Sequence, residues 1–146
     1  MSFRRRCYGL VLLSLLTVSA FVFTSAPAVA AECNPAKALT LLKQGQAQSV
    51  NGEKSKGVDT QVRAADTAWA CYKDADLPAE SRGKMGKASA DILVGASQDA
   101  DALGEGRAVT LAKLALSRYK ILAKDRSLPL SVRVYADSAV QAATSP

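Results

Sequence analysis

Apolar positions recur along this chain at helical spacing. Val58, Val62, Ala65, Trp69 and Tyr72 advance by four, three, four and three, the signature of one helix face. Asp59, Arg63, Asp66 and Lys73 occupy the opposite face. That stripe predicts a helix from about Val58 to Ala75. An earlier helix should open at Asn34-Pro35, an N-cap followed by proline in the first turn. It carries Ala38, Leu39, Leu41 and Leu42 and fades near Gln48. The polar stretch Ser49 to Gly57, with two glycines, reads as the loop between them.

Three further helices follow. Leu77-Pro78 announces one that runs to about Leu103, with Met85, Ala88, Ile92, Ala96 and Leu103 on its stripe. Gly83, Gly86 and Gly95 each weaken it by about 1 kcal/mol relative to alanine. They also permit close backbone approach. Gly104 and Gly106 break the chain. The next helix, about Arg107 to Asp125, has the widest apolar surface. Val109, Ala112, Leu116, Tyr119 and Ala123 are flanked by Leu111, Leu114, Ala115 and Leu122, so it is expected at the centre. Lys120, Lys124 and Arg126 suit the negative end of its dipole. A last helix follows Leu128-Pro129, with Val132, Tyr135, Ala139 and Ala142 inward and a fraying tail. No segment alternates with period two. The fold expected is all-α, about five antiparallel helices.

The first thirty residues are different in kind. Arg4, Arg5 and Arg6 precede an apolar run from Tyr8 to Phe23, and Ala28-Val29-Ala30 is a small-x-small cleavage site. This is the pattern of a secretory signal peptide. Cleavage after Ala30 leaves one domain, 31–146, and no stable membrane span. It also lowers the net charge from +6 to +3, because three of the nineteen basic residues leave and the thirteen acidic ones stay. A mildly basic domain without basic stripes or aromatic platforms gives no case for nucleic acid. The expected location is the periplasm or the extracellular space.

Export changes the reading of the cysteines. Cys7 leaves with the signal, and Cys33 and Cys71 remain, an even number in an oxidising compartment. A disulfide is the expectation. It fits an up-down hairpin of the first two helices, because both residues lie about equally far from the loop centre near Glu53. No CxxC supports redox chemistry, and the chain has no histidine to complete a zinc site.

Two segments echo each other: ACYKDADLPAESRGKMGKASA and RYKILAKDRSLPLSVRVYADSA. Each contains Tyr-Lys, then Leu-Pro, then arginine four residues after the proline. Ala68 stands four before Tyr72, and Ala115 four before Tyr119. In these respects the chain resembles the tetratricopeptide-type helical repeats. There the second helix of a pair places a small residue four before an aromatic and then turns near a proline. The resemblance implies stacked α-hairpins and a protein- or peptide-binding surface; an irregular helical bundle is the alternative fold. The Leu-Pro echo has a 51-residue period, from Pro78 to Pro129, against 34 for that family.

Motifs for other chemistry fail on their own spacing. Gly83 to Ser89 looks like a phosphate loop, but Ser81 and Ala88 stand where glycine and Ser/Thr are needed. Asp99 to Glu105 looks like a calcium loop, but Leu103 and Thr110 replace two ligands, leaving at most a weak cation contact. Nucleophilic triads need a histidine. An enzyme built on Asp, Glu, Lys and Tyr is the only catalytic class left, and it is not the expectation. No cofactor or metal is expected. Arg82, Lys84 and Lys87, early in the third helix, and Arg133, the echo of Arg82 in the fifth, are the candidate partner-binding residues. Two functions follow. One is a non-catalytic exported adaptor that binds a protein or peptide through helices three to five. The other is a small envelope-associated protein that binds an anionic polymer or lipid surface through these cations. Oligomeric state is not indicated by the sequence.

Overall fold

A computed structural model describes residues 31–145. The expected signal peptide, residues 1–30, lies outside them. Five helices follow in order: α1 Pro35–Val50, α2 Lys54–Lys73, α3 Ala79–Ala102, α4 Ala108–Lys124 and α5 Leu130–Thr144. No strand occurs among the described residues, so the chain is all-α.

Local chemistry sets most of the ends. Asn34 caps α1: its Oδ1 accepts the backbone N–H of Lys37 at 2.9 Å, and Pro35 supplies the first helical residue. The link to α2 is only Asn51 to Glu53, with Gly52 in the left-handed region at φ 88°. The loop is therefore shorter than the polarity of residues 49–57 implies. Gly57 lies inside α2 and is buried, because the α1 backbone comes down on it at Gly45. Gly104, at φ 68°, turns the chain from α3 into α4.

The echoed segments form the same turn twice. Asp74 ends α2, its Oδ1 accepts the Asp76 N–H at 3.0 Å, and its carbonyl accepts the Leu77 N–H at 3.2 Å. Asp125 ends α4 and does the same with the Ser127 and Leu128 N–H groups, at 3.0 and 3.2 Å. Pro78 and Pro129 then cap α3 and α5 with nearly identical angles, φ −55°, ψ 144° and φ −54°, ψ 143°. The shared string is Lys-Asp-x-x-Leu-Pro-x-x-x-Arg, beginning at Lys73 and Lys124. An Asx turn releases the first helix, and proline starts the next.

Each helix packs antiparallel on its neighbour in sequence. Contacts across α2 and α3 run from Gln61 with Asp99, through Ala65 with Ser89, to Tyr72 beside Gly86, so one chain rises as the other falls. The substantial interfaces are α1 with α2, α2 with α3, α3 with α4 and α4 with α5; α3 also touches α5. The array is thus open-ended; α2, α3 and α4 are each packed on both sides, and α3 is the middle helix.

That arrangement corrects the expectation that α4 is central. Val109, first on its expected stripe, is 62% exposed, and Leu114 and Ile121 also face outward. The buried face of α4 is Ala108, Leu111, Ala115, Tyr119 and Leu122, together with Arg118. The core is built of small side chains in two groups. Val58, Ala65, Leu93, Ala96, Ala100 and Leu111 fill one end. Tyr72, Ala90, Tyr119, Leu122, Leu128 and Ala136 fill the other. Leu93 and Leu122 are the largest fully buried residues.

Candidate functional site

Two polar constellations hold the middle of the array in place. In the first, the α4 residue Arg118 is only 6% exposed. Its Nη1 donates to the Ala65 carbonyl at 3.1 Å and to Ser89 Oγ at 2.5 Å, and its Nη2 donates to Asp66 Oδ1 at 2.6 Å. Ser89 Oγ also donates to the Ala65 carbonyl at 2.8 Å. The guanidinium carbon lies 5.0 Å from the Trp69 ring centre, within cation–π range. One cation from α4 therefore ties down α2 and α3 together. Nothing in the pattern of the sequence singles it out, since arginine normally marks a solvated face.

The second is centred on Asp91 of α3. Its Oδ1 accepts the hydroxyls of Tyr119 at 2.5 Å and Tyr135 at 3.0 Å, and its Oδ2 accepts Lys87 Nζ at 2.7 Å. Lys87 Nζ also sits 4.0 Å from the Tyr135 ring centre. Burial, and then the Asp91 carboxylate, push the Tyr119 phenol far above its ordinary value. Hydrogen bonding to the same carboxylate raises the Lys87 ammonium. Both Asp91 oxygens accept hydrogen bonds, and the Tyr119 phenol is held protonated. The cluster fixes geometry; it is poorly suited to moving protons.

Tyr119 joins this cluster to an apolar groove. The groove is open, with a volume of about 460 Å³, and is walled by three helices. Val94 and Ser97 come from α3; Ala112, Leu116 and Tyr119 come from α4; Ala139, Ala142 and Ala143 come from α5. Alanines at these positions leave the hollow, because larger side chains would fill it. A second hollow, about 580 Å³, lies against α1 and α2. Its wall mixes Lys37, Arg63 and Asp66, and Asp66 is already committed to Arg118.

No protein-family model, curated protein or solved structure matches the chain.

The four candidate binding cations have different surroundings. Arg82 turns inward: Nε donates to the Tyr72 carbonyl at 3.0 Å, Nη1 to Ser127 Oγ at 3.4 Å, and Nη2 lies 3.6 Å from Asp125. Lys84 is exposed and pairs with Glu80 at 2.7 Å. Lys87 belongs to the Asp91 cluster and is paired there. Arg133 of α5 is half-buried, and its Nε is enclosed without a hydrogen-bond partner among the described residues. Cys33 and Cys71 are joined in a disulfide, with Cα atoms 4.3 Å apart. No described helix is long and apolar enough to cross a membrane. No group of three or more His, Cys, Asp or Glu is placed to hold a metal ion among the described residues.

Proposed function

We propose that this is a non-catalytic exported adaptor that binds an apolar segment of a protein or peptide in the α3–α4–α5 groove. The observation that carries the reading is the groove itself. It is lined mostly by apolar side chains, five of them alanine, and Tyr119 stands in its wall. Such a site suits a segment that buries apolar side chains. The stacking of hairpins through repeated Asp-x-x-Leu-Pro turns supports the same reading, since arrays of this kind present extended binding surfaces. Arg82, Lys84 and Lys87 are each matched by a carboxylate, which weakens the case for an anionic polymer or lipid surface.

Selection of a displayed random-peptide library against the oxidised protein tests this. The expected winners are rich in apolar residues, bind with little dependence on salt, and lose binding to Leu116→Asp or Ala139→Arg. Winners that are mainly acidic, fade at physiological ionic strength and ignore both substitutions would reverse the reading in favour of charge-driven binding.

A further inference from the structure

We propose that the outer face of α5 is a docking surface for a second copy of this chain, with the two α5 helices antiparallel about a two-fold axis. The starting point is the repeated turn. Shifted by the 51 residues between Pro78 and Pro129, Arg82 corresponds to Arg133 and Gly83 to Val134. Gly83 is buried, and a Cβ there would meet Val132 of α5 at 2.9 Å. Arg82 reaches forward to Asp125 and Ser127 in the turn of the following hairpin. This is the face on which the inner hairpin receives its successor.

Among the described residues, α5 has no successor. Arg133 Nε is enclosed and has no hydrogen-bond partner among the described residues. Leu130 and Val134, on the same side of the helix, are 65% and 55% exposed. Asp137 stands one turn beyond Arg133, and its Oδ2 accepts only the neighbouring Gln141 amide, at 2.8 Å. Val134 and Asp137, where the inner helix has Gly83 and Gly86, are too large to admit a helix at the same close distance. They suit a partner that meets them across side chains.

The charges on this face complement their own reflection. Arg133 and Asp137 are four residues apart, so a two-fold axis crossing α5 between them sets Arg133 of each copy near Asp137 of the other. The same axis brings the two Val134 side chains together and lays Leu130 over the stem of Gln141. This is the self-complementarity an isologous pair requires. A single helix face is a small interface, so the association should be weak and concentration-dependent.

Sedimentation of the purified, oxidised protein over a concentration series tests the pairing. The mass should rise from one chain toward two. Arg133→Asp and Asp137→Arg should each stay at one chain, because like charges then face each other. Mixed in equal amounts, the two variants should recover the dimer, since each supplies the charge the other lacks. Val134→Asp, the second kind of disruption, should also stay single. A wild-type chain that remains single throughout, or variants that associate like the wild type, would overturn the proposal. Melting curves of each variant establish that it is folded. Peptide binding in the groove is read separately, so loss of one result leaves the other standing.

Discussion

Arg118 of α4 and Asp66 of α2 form a salt bridge at 2.6 Å in which the cation is buried and the carboxylate is half exposed. The two partners are therefore unequal. Removing Asp66 leaves a desolvated guanidinium without its anion. Removing Arg118 leaves a carboxylate that water can reach, while Ser89 still donates to the Ala65 carbonyl. Asp66→Ala should cost about 2 kcal/mol, below the 3–5 typical of a fully buried pair broken on one side. Arg118→Met, which keeps much of the stem volume, should cost less. In the double variant the Asp66 change should add almost nothing. Denaturant unfolding of the four proteins checks this, and additive losses would show that the pair is not coupled.

Gly86 and Gly95 should respond to alanine with opposite signs. A Cβ on Gly86 would lie 2.6 Å from Leu122 Cδ2 and 3.1 Å from Tyr72 Cδ2. Leu122 is fully buried, and the Tyr72 ring is anchored through its hydroxyl to Asp125 at 2.9 Å, so neither can yield easily. Overpacking costs about 1–3 kcal/mol, against about 1 kcal/mol gained in helix propensity. Gly86→Ala should thus lose about 1 kcal/mol. Nothing lies within 4 Å of a Cβ on Gly95, so Gly95→Ala should gain up to about 1 kcal/mol. Thermal melts of the two variants settle the signs.

These two sites also show where the sequence was legible. The helix count, the Asn34 cap and both Leu-Pro starts follow from local chemistry, which is written in short strings, and the disulfide follows from the two cysteines placed evenly about the first loop. Gly57 misled because glycine reads as a breaker, whereas here it is the contact point that lets α1 lie on α2. The buried stripe of α4 was misplaced by about one position because Val109 outranks Ala108 in hydrophobicity, while close packing favoured the smaller residue. Arg118 was invisible for a related reason. Its burial depends on Ala65, Ser89 and Asp66, which only the tertiary fold brings together. The groove is likewise a property of three helices, with no motif of its own.

The disulfide should matter most to α1. Among the described helices its one substantial interface is with α2, and it buries just Ala38, Leu41, Gly45 and Gln48. The bridge ties its start to the end of α2 and closes a separation of 38 residues, worth about 4 kcal/mol in the chain-entropy picture. Reduction should lower the melting temperature. In amide exchange it should strip protection from residues 35–50 while α3 and α4 stay protected. Uniform loss across all five helices would mean that α1 is an integral part of one cooperative unit.

Alkali should weaken the fold through its buried phenols. Burial, and then the hydrogen bond to Asp125, push Tyr72 from its ordinary value of 10.0 up to about 12. The native state thus holds a proton that the unfolded chain gives up sooner. The resulting stability is complete below the unfolded value and is lost as pH rises from about 10 through the folded value. Asp125 acts at the other end of the scale. Burial opposes its ionisation, but hydrogen bonds from Ser127 and Tyr72 and the charge of Arg82 outweigh it, so its folded value is lowered. That contribution is present above the ordinary carboxylate range and fades as pH falls through the folded value. At neutral pH, Tyr72→Phe should cost about 1.5–3 kcal/mol, the worth of a hydrogen bond to a charged group. The gap between wild type and Tyr72→Phe should stay constant up to about pH 10 and then narrow toward pH 12. Unfolding curves at stepped pH measure that gap, and near-ultraviolet phenolate absorbance follows the ionisation directly. A gap that is unchanged across this window would show that Tyr72 ionises as readily in the folded protein as in the unfolded chain.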